Sequence, residues 1–454
     1  MHLSELEGLL GKDRVYQDPD LVQSYSNDWT ARYIGFSPAI IFPQSTSDVA
    51  KVLSWCSINQ VPVVTQGGNT GMVGGSVPLN GELIISMQRM NKLSISDTNK
   101  SHIQAEAGTT ISEIQKLASS HNLVYGVDFG ARDSATIGGT IATNAGGLNV
   151  LRYGTTRNQI VSVEAVTGAG KIIGNLNGLE KDNTGYHFPS LLCGSEGTLA
   201  IVTQAKLRLW PKPEERITLL FGLNTVQEAL EITEACITSN EDTSACELFF
   251  RKGVNLIKEV FNLNPLWEDK HSTYLLCEFA GPLGVTDRLS EGALGKILQA
   301  QESVLVATNH SDSQKIWQYR ELHTLAISSK GVPLKLDVTL PLQNLEYFLK
   351  EIERRCQEIN PACSPYVFGH SADGNLHLNI LNSEPAVKKI EKEVLEFVVS
   401  LEGSISAEHG IGRAKAPYLH LQRNKAEIEL FTEIKKAFDP KTILNPNVII
   451  SSGK

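Results

Sequence analysis

Six glycines (Gly67, Gly68, Gly71, Gly74, Gly75 and Gly81) fall within fifteen residues, and a second cluster, GARDSATIGGTIATNAGG, runs from Gly130 to Gly147. Packed helices and strands do not tolerate that density, because each glycine surrenders extra backbone entropy and brings no side chain to a core. Each cluster is therefore predicted to be a loop whose backbone approaches something closely. A helix over Thr46 to Asn59, with Val49, Val52, Leu53 and Cys56 on one face, and a strand over Val61 to Val64 lead into the first loop. A strand over Ile103 to Ala107 and a helix opened by the capping pair Thr110 and Glu113 lie between the loops. VSVEAV and KIIG then read as a hairpin over GAG. Two glycine-rich loops thus flank one α+β unit.

A row of backbone N–H groups unshielded by side chains can cradle a pyrophosphate. Glycine content alone leaves an ordinary turn or a lid equally open. A nicotinamide-binding Rossmann site is a poorer rival, since no G-x-G-x-x-G leads from strand to helix; the nearest approach, Gly168-Ala169-Gly170, is followed by strand-like KIIG.

Composition excludes other classes. The 41 Lys plus Arg against 50 Asp plus Glu give a net charge of −9 without a basic block, so nucleic acid is not an expected partner. No apolar run reaches the ~18 residues that span a bilayer, and the first residues lack the apolar stretch of a signal peptide. The expected setting is cytoplasmic. The seven cysteines are scattered with no C-x-x-C pair, which disfavours a disulfide framework, an iron–sulfur cluster or a cysteine zinc site.

The stretch LWPKP, Leu209 to Pro213, reads as a stiff linker and sets a boundary near residue 212. Beyond it strands and helices alternate, which predicts a mixed, largely antiparallel sheet with helices on one face, built as two ferredoxin-like halves. The expected organisation is α+β: a domain over 1–212, a second over 213–420, and a tail over 421–454 returning to the first.

In YVFGHSADGNLHLNI, Asp373-Gly374 signals a tight turn, and alternation puts Leu376, Leu378 and Ile380 on one face and His377 and Asn379 on the other. His370 ends the incoming strand, so the turn can bring both imidazoles together as metal ligands, with Glu408 as a third; structural or solvated histidines are the rival reading. His409 suits a general base, or an orienting histidine behind a ligand. Arg320 and Thr324 share a helix face, and Lys335 alternates with Leu334 and Leu336, so Lys335, His377 and Asn379 fall on one polar sheet face. The simpler reading makes Arg320 and Lys335 solvated charges.

PVVTQGGNTGMVGGSVP, ARDSATIGGTIATNAGG and GSEGTLAIVT, in that order, resemble the FAD-binding domain of the vanillyl-alcohol-oxidase flavoprotein superfamily. The resemblance implies FAD contacts at Gln66, Gly67, Gly68, Asn69, Thr70, Gly71, Gly75, Ser134, Thr136, Gly139, Asn144, Gly147 and Glu196. Asn69 stands in the first loop with no histidine beside it, which implies non-covalent FAD. GHSADGNLH followed by SISAEHGIG resembles the C-terminal signature of the FAD-dependent D-2-hydroxyacid dehydrogenases. That family implies His370, His377 and Glu408 as ligands of zinc or manganese, and Asn379 and His409 at the substrate. Arg320, Thr324 and Lys335 resemble the branch acting on D-2-hydroxyglutarate, where they grip the distal carboxylate. Oxidation of D-2-hydroxyglutarate to 2-oxoglutarate is the expected activity, with D-lactate or D-malate as near alternatives and a metal-dependent hydrolase as the alternative of another class. An external acceptor, an electron-transfer flavoprotein or a quinone, is expected; a homodimer stays open.

Overall fold

The computed structural model describes residues 3–29, 32–95, 101–239, 242–264, 266–267 and 270–451. The chain divides into two compact units: Met1–Gly147 with Tyr153–Lys212 and Glu408–Lys454, and Leu148–Arg152 with Pro213–Ala407. None of the described helices is long and apolar enough to cross a membrane.

The first unit holds two main sheets. One orders Val15–Tyr16, Ile40–Ile41, Leu83–Ser86 and Val63–Gln66, with the last two pairings parallel. Helix Thr46–Asn59 buries Val49, Val52, Leu53 and Cys56 in its core, the face that the spacing predicts. The other sheet orders Leu93–Ile95, His102–Glu106, Ala200–Arg208, Ile160–Thr167 and Ile172–Gly174, all antiparallel. Helix Ile111–Ser120 opens with the Thr110–Glu113 capping box. Two expectations need correction. The second glycine cluster is not all loop: Ile137–Thr143 is a helix, because Gly138 lets it press onto Ala107, whose Cβ would lie 2.8 Å from a Cβ at that position. The supposed linker also contributes structure, since Trp210–Pro211 pairs with Leu123–Val124.

The second unit is built on a seven-stranded sheet ordered Val304–Ala307, Glu215–Leu223, Thr273–Gly281, Thr243–Phe250, Ser364–His370, Asn375–Leu381 and Leu334–Thr339. Every pair is antiparallel rather than mixed. The expectation of helices on one face is also overturned. One core joins Cys246, Leu248, Leu275 and Phe279 to helix Val226–Ser239, and a second joins Phe249, Tyr274 and Leu276 to helices Arg251–Phe261, His310–Glu321 and His323–Ser328. The run TYLLCEFAG is buried at all nine positions, as a strand covered on both faces requires. Helices His310–Glu321 and His323–Ser328 are divided at Leu322, although Ala326 N still donates to Leu322 O at 2.9 Å, so the turns nearly continue.

The scattered cysteines converge more than their spacing suggests. Cys246 and Cys277 are cross-strand partners, and with Cys236 their sulfurs lie within 4.8 Å of one another. All three are buried in the apolar core.

Candidate active site

At the Leu334–Thr339 edge of the seven-stranded sheet, one face carries polar side chains. The strands Leu334–Thr339 and Asn375–Leu381 pair Lys335 with Asn379 and Asp337 with His377, while Leu336 and Leu378 bury themselves on the opposite face. The hairpin register sets His370 opposite Asn375 and His377 opposite Phe368. The two histidines are thus diagonal neighbours on one face, with ring centroids 5.3 Å apart and planes at 82°. Period-2 alternation predicts that shared face; the ring separation depends on the register.

Each imidazole meets a buried carboxylate. Glu247 Oε1 lies 2.5 Å from His370 Nδ1, and Asp337 Oδ1 lies 3.4 Å from His377 Nδ1 while accepting from Asn375 Nδ2 at 2.8 Å. A carboxylate only accepts, so on a neutral His370 ring the proton sits at Nδ1 and Nε2 is the acceptor nitrogen. Arg320 Nε donates to the other oxygen of Glu247 at 2.6 Å, and its guanidinium carbon stands 4.7 Å from the centre of the Phe368 ring. Burial pushes the Glu247 carboxyl up, but Arg320 and His370 outweigh it and hold the group at about 2. Arg320 is therefore a buried, oriented cation and not a solvated charge. Lys335 is half-buried, and that burial depresses its ammonium pKa. Thr324, also half-buried, lies one turn beyond Arg320.

In the first unit, the loop after Val63–Gln66 turns tightly against the second cluster. A Cβ on Gly68 would lie 1.8 Å from Ser134 O, and one on Gly67 would lie 2.0 Å from Thr136 Oγ1, a buried hydroxyl with no protein partner. Gln66 is itself structural, its Nε2 donating to Tyr25 O and Ser76 O at 2.7 Å each. Asn69 sits at φ 52, donating to Asn27 O and accepting from Ser76 Oγ. Trp29 Nε1 donates to Thr70 O. Gly71 and Gly75 lie in the same turn, and Gly139 lies within helix Ile137–Thr143. Asn144 caps that helix at φ 51 and accepts from Arg157 N.

Glu408 Oε1 accepts from Gly147 N at 3.0 Å, so one of its oxygens already serves the second cluster. The Glu196 carboxylate accepts from Ile411 N at 2.8 Å and Gly412 N at 2.7 Å. It anchors the segment behind Glu408 and His409. Burial pushes it up to about 7 despite those two donors. In the second unit the same segment begins at the sheet edge, where Ser404 pairs with Thr339; Glu408 and His409 follow four and five residues later.

The family model for FAD linked oxidases, C-terminal domain, matches residues 212–449, and that for the FAD binding domain matches 37–174. This chain belongs to the FAD-linked oxidases. It is an FAD-dependent oxidoreductase of the D-2-hydroxyacid dehydrogenase family. A probable D-2-hydroxyglutarate dehydrogenase, mitochondrial, from Oryza sativa subsp. indica is 34% identical over 99% of this chain and 81% of its own length. The D-2-hydroxyglutarate dehydrogenase of Stutzerimonas stutzeri is 33% identical over 99% of both. A D-2-hydroxyglutarate–pyruvate transhydrogenase of Saccharomyces cerevisiae is 34% identical over 98% of this chain and 93% of its own. Among solved structures, the 4-ethylphenol oxidase from Gulosibacter chungangensis superposes with a TM-score of 0.78 over 99% of this chain and 96% of that one, at 15% identity. That likeness speaks for the fold alone.

The residues fit FAD: the Gly67–Gly68 turn leaves no room for side chains, and Thr136 Oγ1 waits beside it without a protein partner. The two histidines also fit a divalent metal, each with a carboxylate behind Nδ1. Sequence reasoning missed Glu247 altogether and gave Asp337 no role. The available signal for Glu247 was a lone acid inside the apolar strand ACELFF.

Proposed function

We propose that this oxidoreductase converts D-2-hydroxyglutarate to 2-oxoglutarate with a divalent metal, and that it passes the electrons to an external acceptor. The observation that carries the reading is the polar sheet face, where His370 and His377 stand with rings 5.3 Å apart and Lys335 and Asn379 are cross-strand partners on that same face. Three relatives that match over nearly this whole chain carry D-2-hydroxyglutarate in their names.

In this reading His370, His377 and Glu408 hold zinc, with manganese as the alternative, and Asn379 orients the substrate. Arg320, Thr324 and Lys335 receive the distal carboxylate, which must otherwise lose its hydration unpaired. A metal held by His370, His377 and Glu408 would supply a Lewis acid that lowers the pKa of the substrate 2-hydroxyl. His409 takes that hydroxyl proton. Non-covalent FAD, held by the two glycine-rich turns, would supply the acceptor that takes the α-hydrogen as hydride. No two cysteines in the sequence have the C-x-x-C spacing of an iron–sulfur cluster that could carry the electrons onward. An electron-transfer flavoprotein or a quinone then receives them, and the yeast relative's name puts pyruvate on the acceptor panel.

A panel of D- and L-2-hydroxyacids with an artificial electron acceptor tests this reading. D-2-hydroxyglutarate is expected to give the highest kcat/KM and the L-acids none. Chelation is expected to abolish turnover, and divalent zinc or manganese to restore it. A preference for D-lactate would overturn the diacid assignment, and full activity in chelator with no metal in the protein would overturn the metal assignment.

A further inference from the structure

The strand Thr243–Phe250 carries Glu247 on the same sheet face as His370, its cross-strand partner. The side chain is 1% exposed and both oxygens are engaged: Oε1 is 2.5 Å from His370 Nδ1, and Oε2 accepts from Arg320 Nε at 2.6 Å. One rigid carboxylate thus fixes two groups that serve opposite ends of the proposed substrate. His370 belongs to the metal and hence to the reacting hydroxyl, whereas Arg320 belongs to the distal carboxylate. The Arg320 guanidinium carbon also stands over the Phe368 ring, 4.7 Å from its centre.

We infer that Glu247 is a positioning residue that sets the tautomer of His370 for metal binding and the direction of Arg320 for the second carboxylate, coupling metal affinity to diacid recognition. The inference rests on the reading proposed above. Its chemistry follows from what a carboxylate does and an amide cannot. Glu247 accepts from both partners at once. A glutamine offers one oxygen, so either Arg320 loses its acceptor or the amide N–H₂ faces His370 Nδ1. In the second case Nδ1 becomes the acceptor, the proton moves to Nε2, and the atom needed for the metal is blocked.

The test uses purified full-length holoenzyme, wild type beside Glu247→Gln and Glu247→Asp. Metal content and zinc affinity are measured by equilibrium dialysis with elemental analysis, without turnover, and flavin content by absorbance. Glu247→Gln is expected to keep its flavin and to lose roughly ten- to hundredfold in zinc affinity, the usual effect of removing such an outer partner. With saturating zinc its kcat is expected to recover while KM for D-2-hydroxyglutarate stays raised and KM for D-lactate does not. That split between kcat and KM is not produced by a general loosening of the fold. Glu247→Asp, a shorter carboxylate, is expected to fall between the two. Unchanged zinc affinity and unchanged KM in Glu247→Gln would overturn the inference, as would loss of folding in both variants, which would make the residue purely structural. A wild type that binds no divalent metal would fail the parent reading instead, before any variant is compared.

Discussion

Lys335 occupies a half-buried place on the polar sheet face, where lost hydration depresses its ammonium pKa. A substrate carboxylate would favour the ammonium form, so the residue is suited to discriminate a diacid from a monoacid. Lys335→Met removes a charge-assisted hydrogen bond worth roughly 1.5–3 kcal/mol, and kcat/KM for D-2-hydroxyglutarate is expected to fall by about one to two orders of magnitude. D-lactate turnover is expected to change far less. Equal losses on both substrates would assign Lys335 to the fold. The alternation in LKLDVTL made this position legible, because a lysine out of phase with the four apolar positions Leu334, Leu336, Val338 and Leu340 must sit on the other face. Glu247 was not legible in the same way. An acid inside an apolar strand reads as an exception until Arg320 and His370, 73 and 123 residues away, are seen to meet it.

Elements are joined here by single buried groups, and two of these joints can be tested. Helix Arg251–Phe261 presses Gly253 against His323, whose ring packs on Phe249 and Phe368 and has its pKa lowered to about 3, first by burial and then by Arg320. A Cβ on Gly253 would lie 2.4 Å from His323 Nε2. Gly253→Ala is expected to cost about 1–3 kcal/mol by overpacking and to lower the melting temperature by several degrees. An unchanged midpoint would show that the imidazole simply moves aside. The second joint is Glu196 on Ile411 N and Gly412 N. Its carboxyl is raised from 4.5 to about 7, so the folded state holds a proton that the unfolded chain has already released. The stabilisation is full below about pH 4.5 and is lost as pH rises through about 7, at no more than roughly 1.4 kcal/mol per pH unit. Glu196→Gln carries no such proton, so its melting temperature relative to wild type is expected to rise across that window. Parallel melting curves for the two proteins would refute the linkage.

Across the whole molecule, FAD is the group on which the stability of the first unit is expected to depend. A ligand that binds only the native state adds about 2.7 kcal/mol at a hundredfold excess over its Kd. Protein stripped of flavin is expected to melt at lower temperature and to recover as FAD is titrated. Acid precipitation is expected to release the flavin, because Asn69 in the first loop offers no histidine nitrogen and is occupied by Asn27 O and Ser76; flavin retained in the pellet would mean a covalent link. By itself the sequence determined the two glycine turns, the amphipathic helix Thr46–Asn59, the capping box and the polar alternation through Lys335, His377 and Asn379, since each depends on residues within a few positions of one another. It also carried the motifs that mark the family. The second helix layer, the helix inside the second glycine cluster and the meeting of Cys236, Cys246 and Cys277 were decided only by tertiary structure. So was the bridge from Arg320 through Glu247 to His370. Strand order and register set those contacts, and both follow from packing between segments scores of residues apart, which no local spacing encodes.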